Sequence, residues 1–92
     1  MIVRIATEDQ YRLPDGDAAR LAELDNEAVA AVEAGDEDRF HEVFEDMLAI
    51  VRTHGHKLGS DELEESDVIL PPPDLSFVEA GREFSGDGLI PD

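Results

Sequence analysis

The chain contains no cysteine, which excludes a disulfide framework and a thiolate metal site and leaves its stability to packed helices and strands. Lysine occurs once, at Lys57, and the other six basic residues are arginines. Positive charge is therefore scarce, and direct contact with DNA, RNA or anionic lipid headgroups, each of which needs a positive patch, is disfavoured. Long apolar runs are also missing. None approaches the roughly 20 residues that a membrane-crossing helix requires, and the opening MIVRIATEDQ lacks the extended apolar region of a secretory signal. A soluble, cytoplasmic protein is expected.

What the chain has in excess is acid: 24 Asp and Glu against 7 Lys and Arg, a formal net charge of −17. A disordered acidic tail would be poor in apolar residues, whereas this chain is 41% hydrophobic and arranges those residues periodically, so a folded domain with an acidic surface is expected. The surplus of acid and the preference for arginine suit a protein that works in molar salt, where the Debye length falls to roughly 3 Å and the self-repulsion of such a surface is screened. At 92 residues the chain corresponds to one domain, residues 1–92, that buries only about 60 to 65% of the surface exposed when unfolded.

The apolar pattern gives the elements. Segments 2–6, IVRIA, and 10–13, QYRL, alternate, so that Val3, Ile5, Tyr11 and Leu13 face one side and Arg4, Gln10 and Arg12 the other, with Thr7-Glu8-Asp9 as a hairpin loop. Pro14-Asp15-Gly16 has turn chemistry, and Asp17 is placed to cap a helix that begins at Ala18. Leu21, Leu24, Ala28, Ala31 and Val32 recur at helical spacing up to Gly35, a C-terminal cap. Asp36 then caps a second helix with Phe40, Val43, Phe44, Met47, Leu48 and Val51 on one stripe, ending at Gly55. So short a joint predicts an antiparallel helical hairpin whose stripes meet each other and the strands. Residues 55–66 read as a loop or one helical turn, and Val68-Ile69-Leu70 as a third strand added to the first pair. Ser76 and Glu79 have capping-box spacing, with Leu75 and Ala80 as a staple, which predicts a short helix over 77–84; Leu89 and Ile90 are the apolar anchors of the tail. The fold class is α+β: a β-hairpin and third strand packed on an antiparallel helical hairpin, with a short C-terminal helix.

Candidate chemistry is sparse. His54 and His56 lie two apart around Gly55, and a zinc site there would draw its remaining ligands from Asp61 and Glu62, but with 24 carboxylates an acid stands near every histidine by chance. His54 fits better as a residue at a helix C-terminus, and His41 as a helix-surface residue flanked by Glu42 and Glu45. The i, i+4 pairs Glu42 with Asp46 and Glu23 with Glu27 have the spacing of an acid and a base, yet also that of a solvated helix face. The glycines of SGDG and DGD form no phosphate loop, since no Lys-Ser/Thr follows. No enzyme, cofactor or metal is expected.

The most distinctive segment is DVILPPPDLSF. Pro71, Pro72 and Pro73 fix φ near −65° and supply no backbone donor, so they end strand pairing and hold an extended link. Two roles stand side by side: a rigid corner, or an exposed docking edge made of Leu70, Pro71, Pro72, Pro73 and Asp74.

Taken together, MIVRIATEDQYRL, the paired helices of NEAVAAVEAGDEDRFHEVFEDMLAIVRTHG, the block SDVILPPPD and the ending GLIPD resemble PspAA, the PspA-associated protein family of archaea and actinobacteria, over nearly the whole chain. The resemblance implies a partner, PspA, the coiled-coil membrane-associated protein of the phage-shock envelope-stress response, and carries over no catalytic residue. It implies a non-catalytic adaptor, associated with the membrane only through its partner. The alternative is a small ligand- or metal-binding domain or enzyme that uses the acidic face and His54 and His56.

Overall fold

The first thirteen residues make a hairpin because they alternate. In the computed structural model, which describes residues 1–59, 61–86 and 88–90, β1 (Ile2–Ile5) pairs antiparallel with β2 (Gln10–Arg12), setting Val3 opposite Tyr11 and Arg4 opposite Gln10. Val3, Ile5 and Leu13 are buried and Tyr11 packs against the core from its margin.

Helix α1 (Asp15–Ala34) starts three residues before the expected Ala18. Pro14 sits at the N-cap with extended backbone and accepts the first helical bond from the Ala18 amide at 2.9 Å, so the Pro-Asp-Gly triplet forms a first helical turn and no separate reverse turn. Proline costs nothing there, and Asp15 and Asp17 favour the positive end of the helix dipole. Asp17 is consequently not a cap. Gly35 closes the helix with φ 70°, as the pattern predicts, and Asp36 caps α2 (Glu37–His54) by accepting from the Arg39 amide at 3.1 Å. The joint is as short as expected, and α1 packs along α2.

Beyond α2 the chain departs from the expected loop. His56–Lys57 forms β3, an antiparallel partner of β2 in which Lys57 stands opposite Tyr11 and His56 opposite Arg12. Gly55 permits the turn into it: a Cβ there would run into the Val51 carbonyl and lie 3.0 Å from Tyr11 Cβ. Val68–Leu70, β4, then joins β1 in parallel, Val3 beside Val68, Arg4 beside Ile69 and Ile5 beside Leu70. A parallel pair needs a long crossover, and the helical hairpin supplies it. The result is a four-stranded mixed sheet in the order β3-β2-β1-β4, where three strands were expected. Helix α3 (Phe77–Glu83) begins with the predicted capping box, Ser76 Oγ accepting from the Glu79 amide at 3.2 Å, and packs on α1.

The core is one apolar cluster between the inner sheet face and the helices. Val3, Ile5, Val68 and Leu70 of the sheet meet Leu21, Leu24 and Ala28 of α1 and the full predicted stripe of α2. Phe40, Phe44 and Phe84 form an aromatic group at its centre, with ring centroids 5.3–6.0 Å apart in stacked and edge-on arrangements. The fold class is α+β, as the sequence predicts.

Candidate partner interface

The proline segment emerges from β4 at the sheet edge and turns toward α3. Leu70 is 0% exposed and Pro71 is buried, so neither presents side-chain surface to a partner; Pro72 is half-buried, and Pro73 and Asp74 are exposed. The Pro72 carbonyl accepts from the Leu75 amide at 3.0 Å, closing a turn that delivers Leu75 and Ala80 into the core. The five residues thus divide: the first two are packing, and the last two are surface at a corner.

Two exposed aliphatic side chains flank that corner. Ile69 is 58% exposed, because strand alternation sends it outward while Val68 and Leu70 point inward, and Val78 on α3 is 75% exposed. Leu63, in the segment between β3 and β4, is 55% exposed.

The histidines do not converge. His54 Nδ1 lies 2.8 Å from Asp17 Oδ1, tying the end of α2 to the start of α1. His41 sits 3.7 Å from Glu37 on the surface of α2. Among the described residues no group of three His, Asp or Glu side chains has the arrangement of a metal site, and no cavity is present. The carboxylate pairs lie on the helix surfaces, three of the four groups in ion pairs, Glu23 with Arg20 at 3.0 Å, Glu27 with Arg39 at 3.1 Å and Glu42 with Arg39 at 3.9 Å, and Asp46 exposed.

Two polar side chains are buried that the pattern did not single out. Gln10, expected on the open face, is 2% exposed because residues 64–66 cross over it. Its Nε2 donates to the Glu64 carbonyl and, at 2.8 Å, to Ser66 Oγ, while its Oε1 accepts from the Glu64 amide at 3.2 Å. Asp25, also 2% exposed, accepts from the Leu89 amide at 3.0 Å and the Ile90 amide at 3.0 Å. It thereby fixes the tail to α1. The sequence does hold a signal for Asp25: it lies four residues after Leu21 and four before Val29, an acid inside an apolar stripe. Gln10 carries no such signal, since its partners come from a distant loop.

No helix among the described residues is long and apolar enough to cross a membrane. No curated protein and no solved structure matches the chain. A family model does, over residues 1–92, and its description is PspA-Associated protein. That match spans the hairpin, both long helices, the proline corner and the tail held by Asp25, and the chain belongs to the PspAA family of PspA-associated proteins.

Proposed function

We propose that this protein is a non-catalytic adaptor that binds PspA and acts with it in the response to envelope stress. The observation that carries the reading is the family match along the entire chain. The architecture is compatible with it: a small rigid unit, held by one core, that presents two long acidic helices, an outer sheet face and a proline corner to its surroundings. In this reading the protein works in the cytoplasm and reaches the membrane through PspA, because its surface is too negative to approach anionic headgroups by itself.

The test is capture of purified PspA by the immobilised intact chain in buffer of molar potassium chloride, which keeps a highly acidic surface screened. Retention of PspA, and competition by free chain, is the expected result. Failure of the folded chain to retain PspA over a range of salt would overturn the adaptor reading.

A further inference from the structure

A sheet covered by helices on one side leaves its other face to water, yet three outward side chains here are buried. Ile2 alternates with the inward Val3, Gln10 with Tyr11, and Leu58 follows Lys57, which stands opposite Tyr11. They are 7%, 2% and 4% exposed, and Ile2 and Leu58 lie outside the apolar cluster that joins sheet and helices. What crosses this face is the segment 61–67, a strap that leads into β4 and is bonded to two of the three. Gln10 Nε2 donates to the Glu64 carbonyl and to Ser66 Oγ, and Gln10 Oε1 accepts from the Glu64 amide at 3.2 Å. Arg12 pairs with Glu64, Asp67 Oδ2 accepts from the Ile2 amide at 2.8 Å, and the Asp67 amide donates to the Ile2 carbonyl at 2.8 Å. Apolar contact adds little, since Leu63, the one aliphatic residue of the strap, is 55% exposed.

Against these bonds stands charge. Asp61, Glu62, Glu64, Glu65 and Asp67 are all acidic, and Glu64 alone of them has a cation within ion-pair distance among the described residues. The others sit on a chain of net charge −17 whose extents are 40 × 25 × 21 Å. At about 0.01 M ionic strength the Debye length of roughly 30 Å lets most of that charge push on the strap, and near 1 M, at roughly 3 Å, almost none does. The Gln10 bonds join neutral groups and keep their strength in salt. The attraction of Arg12 for Glu64 weakens with salt, but it is a single exposed contact set against four uncompensated acids.

We infer that the strap 61–67 is a salt-dependent lid, closed over Gln10 at high ionic strength and opening when ionic strength falls, while the core between sheet and helices stays folded. The two can part because the core is held by apolar burial and the strap by polar bonds at the surface, and such segments open at lower free energy than the whole fold. Opening bares Ile2, Gln10 and Leu58 on the face that already carries Ile69, 58% exposed. Dilution thus uncovers apolar surface that salt keeps hidden.

The experiment follows amide hydrogen exchange of the intact chain by NMR between about 1 M and about 0.05 M potassium chloride, at a temperature where the helical circular-dichroism signal stays constant. The reporters are the Glu64 amide, bonded to Gln10, and the Phe44 amide within α2. Exchange at Glu64 should quicken by at least about tenfold relative to Phe44 as salt is lowered. Hydroxide, the exchange catalyst, is itself repelled from a negative chain in dilute salt, so the field alone would slow Glu64. Asp61→Asn combined with Glu65→Gln removes two unpaired charges and no bond of the strap, and should slow Glu64 exchange in dilute salt by at least about threefold. Gln10→Ala removes the latch, and Glu64 should then exchange rapidly at every salt concentration. Glu64 exchange that ignores salt, that follows Phe44 throughout, or that responds to salt equally in the double variant would overturn the lid, as would full protection of Glu64 in Gln10→Ala. If Gln10→Ala does not fold, the parent and the double variant decide the matter.

Discussion

Asp25 does at the scale of one residue what the rest of the acidic surface does not. Its carboxylate is buried on α1 and holds the amides of Leu89 and Ile90, bonds between a charged acceptor and neutral donors. Asp25→Ala removes that acceptor and strands two amide donors, and unfolding by denaturant should show a loss of roughly 1.5 to 3 kcal/mol, the range for hydrogen bonds to a charged group. The partner position gives an independent check. Gly88 has φ 81°, and a Cβ there would lie 2.6 Å from Asp25 Oδ2, so Gly88→Ala should also destabilise, by about 1 kcal/mol or more. A Gly88→Ala chain as stable as the parent would show that the tail is not seated as described. The place of Asp25 inside an apolar stripe marks it as buried, but neither its partners nor the burial of Gln10 was legible, because those partners lie 64 and 54 residues away in sequence and periodicity reports only a residue's neighbours on its own element.

At the scale of elements, what was legible is what is encoded locally. The α2 stripe, the Asp36 cap, the Gly35 cap and the Ser76–Glu79 box each lie within a few residues of one another, and all form as read. Phe44 tests the stripe: it packs against Phe40 and Phe84 at 5.6 and 6.0 Å between centroids, and Phe44→Ala should cost about 3 to 5 kcal/mol, whereas a near-zero change would place that stripe at the surface. The strand β3 escaped the reading because His56 and Lys57 are both exposed and only two residues long, so no alternation exists; the free edge of β2, not local sequence, makes them a strand. The proline block was legible as a rigid link, and burial of Leu70 and Pro71 assigns its first half to packing. If the block serves as a corner, Pro72→Ala acts by loosening the unfolded chain and should lower stability by about 0.4 to 1 kcal/mol while PspA capture is unchanged. Weaker capture by Pro72→Ala and Asp74→Ala, with unmoved midpoints, would instead make the corner itself the docking edge.

For the molecule as a whole the deciding quantity is the net charge of −17 spread over 92 residues. The ion pairs do little to offset it: each involves solvent-exposed or partly exposed side chains, such as Arg20 with Glu23 and Lys57 with Asp9, and exposed pairs contribute little net stability. Most carboxylates have no cation at all to meet, since 24 acids share 7 bases. The self-repulsion must therefore be carried by the solvent. Folding gathers these charges onto a small surface, whereas the unfolded chain spreads them apart, so repulsion weighs against the folded state wherever screening is weak. In dilute buffer, at about 0.01 M ionic strength, the Debye length of roughly 30 Å spans the domain, and every carboxylate feels the others; near 1 M it is roughly 3 Å and only adjacent groups interact. The midpoint of thermal unfolding should accordingly rise steadily across a potassium chloride series, most steeply at its dilute end where screening changes fastest. Sodium chloride should serve as well as potassium chloride, because screening depends on ionic strength and not on the cation. A midpoint unchanged from dilute buffer to molar salt would mean that the acidic surface does not govern stability, and a response confined to one cation would replace screening with specific ion binding.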